Sequence, residues 1–173
     1  MAGQIFAYIA YKDGVPDDSA LELAAAAKKI ADAPVNAIVV GSGVDAVCNE
    51  VAASYQEVWK LDNDALAYPN AEMIRKGLVN ILPQDCILLV PHDTFGMDLA
   101  PGLSIKLDSP FVADAVDFEG LDGDTLKVVR QEYGGAVSTH VSCDVSGGAV
   151  INVRPGVFQA DESKAAGGSV VDK

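Results

Sequence analysis

Positive charge is scarce in this 173-residue chain: 12 lysines and arginines stand against 25 aspartates and glutamates, a formal net charge of -13. The summed field of such a surface repels the phosphate backbone that dominates nucleic-acid affinity, which excludes DNA and RNA as partners. Long apolar runs are missing too. The stretches 5–10, 37–40 and 87–90 fall far short of the ~20 residues a spanning helix needs, so no membrane insertion is expected. Before the first apolar run Met1-Ala2-Gly3-Gln4 carries no basic residue, and Asp13, Asp17 and Asp18 follow soon after. That is not the charge order of a secretory signal, and a cytoplasmic location is expected.

Cysteine and histidine are equally thin. Cys48, Cys86 and Cys143 are odd in number and widely spaced, with no C-x-x-C; buried thiols packing as small hydrophobes are expected rather than ligands or redox centres. The two histidines, His92 and His140, lack zinc-site spacing, so no metal is expected. His92, Asp93, Thr94 and Asp98 follow an apolar run whose carboxyl end is where open α/β sheets place ligands. No nucleophile accompanies them, and joining Ser42 and His140 to Asp93 has no G-x-S-x-G elbow behind it. A small hydrolase using His92 and Asp93 is therefore the last-ranked reading, a structural or surface role for both histidines is preferred, and no catalytic residue is assigned.

What is present is apolar: 50% of residues are hydrophobic and 21% charged, far from the composition of disorder and enough for one domain to enclose a core. Strand and helix signals alternate. Strands are expected over 4–11, 35–40, 57–61 and 86–90, and helices over 20–33, 44–54, 69–82 and 97–107. Strands apolar throughout and separated by helices require a mainly parallel, doubly wound sheet. After Ser109 the pattern becomes β-rich, with segments 111–118, 125–133, 137–144 and 149–154. The gaps Leu121-Asp122-Gly123-Asp124 and Ser146-Gly147-Gly148 read as turns of antiparallel hairpins.

Gly41-Ser42-Gly43-Val44-Asp45-Ala46 has the G-x-G-x-x-A spacing of a dinucleotide fingerprint, with Asp62 about 20 residues on. It follows the second strand rather than the first, so Gly41, Ser42 and Gly43 are nucleotide candidates set against a plain turn. Tyr133-Gly134-Gly135-Ala136 likewise reads as a hairpin turn or as a place where another chain approaches closely. The stretch from Gln159 onward is polar and linker-like.

Four segments taken together, residues 94–101 (TFGMDLAP), 112–116 (VADAV), 133–136 (YGGA) and 153–158 (VRPGVF), resemble in order and spacing the amino-terminal domain of electron transfer flavoprotein alpha subunits. The opening strand and first helix are similar as well, extending the resemblance over 3–160. Family members often carry arginine within the phrase Gly96-Met97-Asp98-Leu99 and where Gly102 follows Pro101, so contacts of those side chains are not carried over. The resemblance implies a Rossmann-like fold akin to adenine-nucleotide hydrolases. It implies an α/β domain over 1–158 and a linker over 159–173 toward a missing FAD-binding domain. It also implies FAD carried mostly by that domain, none on these residues alone, and a beta subunit as partner with dehydrogenases as electron donors. Phe95, Tyr133, Gly134, Gly135 and Arg154 are then candidates for the partner interface. The alternative is a stand-alone adenine-nucleotide-binding module, which fold analogy leaves open.

Overall fold

A computed structural model describes residues 3–160 and 167–173. Strand β1 (Ile5–Tyr8) is followed by a short hairpin, β2 (Tyr11–Lys12) and β3 (Val15–Pro16), and then by α1 (Ser19–Ile30), β4 (Val35–Gly41) and α2 (Asp45–Val51). Next come β5 (Glu57–Asp62), α3 (Ala71–Ile81), β6 (Ile87–Pro91) and α4 (Thr94–Lys106). The last third supplies β7 (Phe111–Asp122), β8 (Thr125–Glu132), β9 (Val137–Asp144), β10 (Ala149–Val153) and β11 (Ser169–Asp172). One nine-stranded sheet runs β11-β5-β4-β1-β6-β10-β7-β8-β9. Pairing is parallel from β11 through β7 and antiparallel from β7 through β9.

Period-two burial explains the layers. Ile5, Ala7 and Ile9 join a core with Leu23 of α1, Val47 of α2 and Tyr55. Phe6 and Tyr8 face the other way, among Ile74 and Leu78 of α3 and Leu99 and Leu103 of α4. A strand apolar on both sides can be buried only between two helical layers, which is the doubly wound arrangement. No helix among the described residues is long and apolar enough to cross a membrane.

Helix α4 begins at Thr94 rather than Met97, because the Asp93 carboxylate accepts from the Gly96 N–H at 2.6 Å and caps the first turn. Pro101 lies inside this helix, where a proline removes a backbone donor and pushes on the preceding turn. Arg75 of α3 covers that turn, its Nη2 donating to the Asp98 carbonyl at 2.8 Å and its Nε to that of Leu99 at 3.4 Å. A Cβ on Gly102 would stand 2.5 Å from the guanidinium carbon of Arg75. Glycine at this departure from the family pattern thus makes room for an arginine from the neighbouring helix.

Three expectations need correction. The first strand ends at Tyr8, and Tyr11–Lys12 belongs to a separate hairpin. Ser146-Gly147-Gly148 does not join two antiparallel strands: β10 lies parallel between β6 and β7. All five β10 residues are buried, and a strand apolar on both faces belongs in the sheet interior rather than at its margin. The tail is not linker-like throughout, since Ser169–Asp172 pairs with β5 as an edge strand. Main-chain bonds order this strand, assisted by Val171, which packs against the core, by Lys60, which reaches Asp172 at 2.7 Å and Asp45 at 2.8 Å, and by Lys173, 3.9 Å above the Trp59 ring. Residues 161–166, covered by the same expectation, lie outside the described residues.

All three cysteines are free and buried. Burial pushes the Cys86 thiol up to about 12 and Cys48 up to about 11, and it raises Cys143 as well. Because the thiolate is the reactive form, a disulfide reagent at pH 8 is expected to react at least about 100-fold more slowly with the native chain than with the denatured one. Denaturant should then release all three thiols; prompt labelling of native protein would refute their burial.

Candidate functional site

Strands β1 and β6 are neighbours, yet the connection leaving β1 leads toward β4 on one side and that leaving β6 toward the β10 side on the other. Divergence of this kind opens a crevice at the carboxyl ends of the strands. A cleft of about 460 Å³ lies there, lined among others by Tyr8, Tyr11, Leu66, Ile74, Asp93 and Phe95. The Tyr8 and Phe95 rings stack with centroids 6.2 Å apart and planes inclined by 26°. Burial pushes the Tyr8 phenol well above its usual value, with Tyr11 and Asp93 adding to the shift. A larger hollow of about 610 Å³ sits at the opposite end, between Gln4, Pro34, Asn36 and Pro83, away from every strand carboxyl terminus.

The Gly41–Gly43 loop borders this edge but is internally occupied. The N–H groups of Gly43 and Val44 donate to the two carboxylate oxygens of Asp62 at 2.9 and 3.0 Å, and the Ser42 hydroxyl donates to Asp64 at 3.1 Å. A Cβ on Gly41 would stand 1.8 Å from the Tyr11 hydroxyl, which donates to the Val40 carbonyl. Gly41 therefore makes room for a tyrosine, and Asp62, the acidic member of the fingerprint spacing, fills the cradle a phosphate would use.

On the other side of β6 a polar cluster ties three strands together. Arg154, directly after β10, donates from Nε and Nη2 to the Asp114 carboxylate at 2.9 and 2.7 Å and from Nη1 to Gln131 of β8 at 2.7 Å. Asp114 reaches this position because β7 is irregular there, with Asp114 at φ +60°. The Arg154 hydrogen bonds hold the Asp114 carboxyl below its usual range against the opposing effect of burial, and the charges of Arg154, His92 and Arg130 lower it further. His92 donates its backbone N–H to Val153 at 2.8 Å. Its Nε2 stands 3.8 Å from Asp114, and its Nδ1 lies 3.3 Å from the amide nitrogen of Asn152.

Arg154 is thus brought together with His92, whereas Asp93 serves as a helix cap and Ser42 lies far along the sheet from His140. His140, on β9, pairs with Glu119 at 3.0 Å. Phe95 is half-buried against Tyr8, while Tyr133 is 83% exposed at the tip joining β8 to β9. Gly134 and Gly135 follow it at φ +66° and +89°, which suits glycine. Sequence reasoning missed Asp114, Gln131 and Asn152 as site residues. The signal for Asn152 was there: an amide inside the apolar run AVINV needs a buried partner. No metal-binding cluster of His, Cys, Asp and Glu occurs among the described residues.

Residues 5–173 match the family model described as electron transfer flavoprotein domain. The chain is 25% identical over 162 residues to Protein FixB of Clostridium saccharobutylicum. It is 23% identical over 165 residues to electron transfer flavoprotein subunit alpha of Clostridium acetobutylicum, and 23% identical over 161 residues to the subunit of that name in Thermoanaerobacterium thermosaccharolyticum. Each comparison covers 90% of this chain and 48% or 49% of the relative, so the chain spans about half the length of the curated relatives it matches. A family match that runs from β1 through β11 shows that the chain belongs to the electron transfer flavoprotein domain family.

Proposed function

We propose that this chain is the amino-terminal scaffold and dimerisation half of an alpha-type electron transfer flavoprotein subunit. In this reading it docks on a beta-type subunit and helps shelter FAD, so that the complex carries electrons away from dehydrogenases. The observation that carries the reading is the family match over nearly the whole chain, together with alpha-type relatives twice its length. The residues at the carboxyl edge fit an FAD pyrophosphate poorly: the Gly43 and Val44 N–H groups are engaged by Asp62, and the Arg154 charge is engaged by Asp114. We therefore assign FAD mainly to polypeptide beyond these residues, where the cofactor supplies the redox chemistry and protein supplies position and electrostatics.

The β8–β9 tip is the proposed contact with the beta-type subunit. Tyr133 exposes a large ring, Val137 is 45% exposed, and β9 ends the sheet with an open edge. Tyrosines at such positions are frequent anchors of interfaces, and open edges are normally covered. Sedimentation of the chain with a beta-type subunit from the same source tests this. Association is expected, weakened at least about tenfold by Tyr133→Ser, the loss of one anchor side chain. No association, or a Y133S/V137K double variant that binds unchanged, would refute the docking surface. Tight binding of AMP by the isolated chain would favour the stand-alone nucleotide module instead.

A further inference from the structure

The hollow at the amino ends of the strands has no part in the docking reading, and its lining selects a ligand class. Its volume of about 610 Å³ falls within the ~300–1,000 Å³ typical of small-molecule sites. Asn36 of β4 is the most buried polar residue of that lining, only 7% exposed. It stands beside Phe6 of β1 and, by the alternation of the strand, on the same face as Phe6 and Ile38. Its side-chain amide has no hydrogen-bond partner among the described residues. A polar group so deeply buried is normally bonded, and here a partner must come through the hollow.

Charge decides what that partner is. Glu57 and Asp85 line the hollow, and no lysine or arginine does. Glu57 accepts from the Trp59 indole on Oε2 at 3.0 Å, and a carboxylate retains acceptor capacity on its other oxygen. Asp85 is exposed. Helix α3 ends two residues before Pro83, itself a lining residue, and its last turn has no basic side chain. The negative end of its dipole is therefore not balanced from within the helix, which favours a cation nearby. An anion entering the hollow would be repelled, whereas a cation rich in N–H donors meets the two carboxylates and the amide oxygen of Asn36.

We propose that this hollow binds a guanidinium group carried on an aliphatic chain. A guanidinium presents more donors than an ammonium, in a planar fork that matches carboxylates, and it is the more weakly hydrated of the two. Asn36, Glu57 and Asp85 accept those donors, and the aliphatic chain lies against Pro34 and Pro83. This inference is independent of the docking role assigned to the β8–β9 tip.

Calorimetry and saturation-transfer NMR on the full chain, with agmatine, acetyl-arginine amide and cadaverine as probes, test it. Agmatine is expected to bind with a dissociation constant on the order of 10⁻³ M, and cadaverine, of equal charge but without the guanidinium, at least about fivefold more weakly. Agmatine binding more tightly than acetyl-arginine amide would support a free small molecule as the ligand, and the reverse order an arginine side chain of a polypeptide. Asp85→Asn removes an exposed charge and should weaken agmatine about fivefold, the value of one exposed charge-assisted contact. Ala33 is exposed at the rim, so Ala33→Lys adds a repelling cation without touching the core and should weaken agmatine at least as much. Asn36→Leu separates binding from structure: agmatine should weaken about tenfold, while stability to urea stays unchanged or rises because no internal hydrogen bond is lost. Absence of agmatine binding at tens of millimolar concentration, cadaverine binding as tight as agmatine, or unchanged binding in D85N or N36L would each overturn the proposal.

Discussion

Replacing Gly148 with alanine is expected to remove about 2–5 kcal/mol of stability, the sum of a left-handed backbone imposed on an L-residue and of overpacking. Gly148 sits at φ +86°, and a Cβ there would lie 2.5 Å from the Cys86 carbonyl oxygen and 2.8 Å from that of Gln84. These obstacles are backbone atoms at the entrance to β6, so no side chain can swing away to relieve them. The same residue donates its N–H to Val145, and the next, Ala149, donates to Cys86, which starts the β10–β6 pairing. Displacing it therefore disturbs the register of a central strand. Two neighbours calibrate the effect. Gly123 has φ +61° but open space, and Gly147 has open space and no left-handed backbone. Urea unfolding should rank the alanine variants Gly148, Gly123, Gly147 from most to least destabilised, and a loss below about 1 kcal/mol for G148A, within the usual range for a strained residue alone, would contradict this account. For a domain at the low end of the customary stability of about 5–15 kcal/mol, the upper end of the expected loss leaves little folded protein.

That glycine also shows where the sequence stopped being informative. The alternation of apolar runs with helical stretches identified β1, β4, β5, β6 and the helices between them, because each buried strand carries its own two-sided pattern. The run AVINV carried the same pattern, but its position after three polar-faced strands and a Gly-Gly pair suggested another hairpin. Chain order does not encode which strand returns to the interior, whereas the burial of all five residues does. The carboxyl-edge cluster was half legible. His92 stood out at the carboxyl end of an apolar run and Arg154 only within the segment 153–158 that carries the family resemblance, but their meeting depends on the irregularity that turns Asp114 toward Arg154, and VADAV alone does not announce a bulge. The Gly41–Gly43 loop shows the reverse: the spacing was readable and the Asp62 carboxylate in the cradle was not, since both fingerprint and filled cradle need an acidic residue at about the same distance. The tail was misjudged because two valines within a polar stretch are enough for an edge strand, ordered by main-chain pairing, by Val171 against the core and by Lys60 and Lys173.

Arg154→Met is expected to have the second large effect, because one guanidinium holds β10, β7 and β8 together through Asp114 and Gln131. Methionine keeps much of the apolar stem and removes the charge. The bonds lost are charge-assisted and bidentate, but the Arg154 side chain is 32% exposed, so the expected cost is about 1–3 kcal/mol at neutral pH after allowance for solvent screening. The pH dependence identifies the cause. Asp114 has its carboxyl lowered from the ordinary 3.8, first of all by the Arg154 hydrogen bonds. A lowered folded value means that the unfolded chain takes up the proton first as pH falls. The stabilisation is therefore complete above the ordinary value and is lost as pH falls through the depressed one. The stability gap between wild type and R154M should accordingly be widest near neutrality and close in strong acid, which denaturant titrations at a series of pH values can follow. A cycle with Asp114→Asn separates the pair from its surroundings, since the two substitutions should be strongly non-additive. Gln131 also loses its partner, and Gly135 lies beside it, a Cβ there reaching within 3.7 Å of the Gln131 side-chain oxygen. The Tyr133–Gly135 tip is then less firmly held, and amide exchange over 131–137 should quicken about tenfold, the kinetic reading of about 1.4 kcal/mol of lost local stability. Weakened association with the beta-type subunit follows if that tip is the docking surface. Exchange that quickens while association stays unchanged would leave the Arg154 frame intact and remove the tip from the interface.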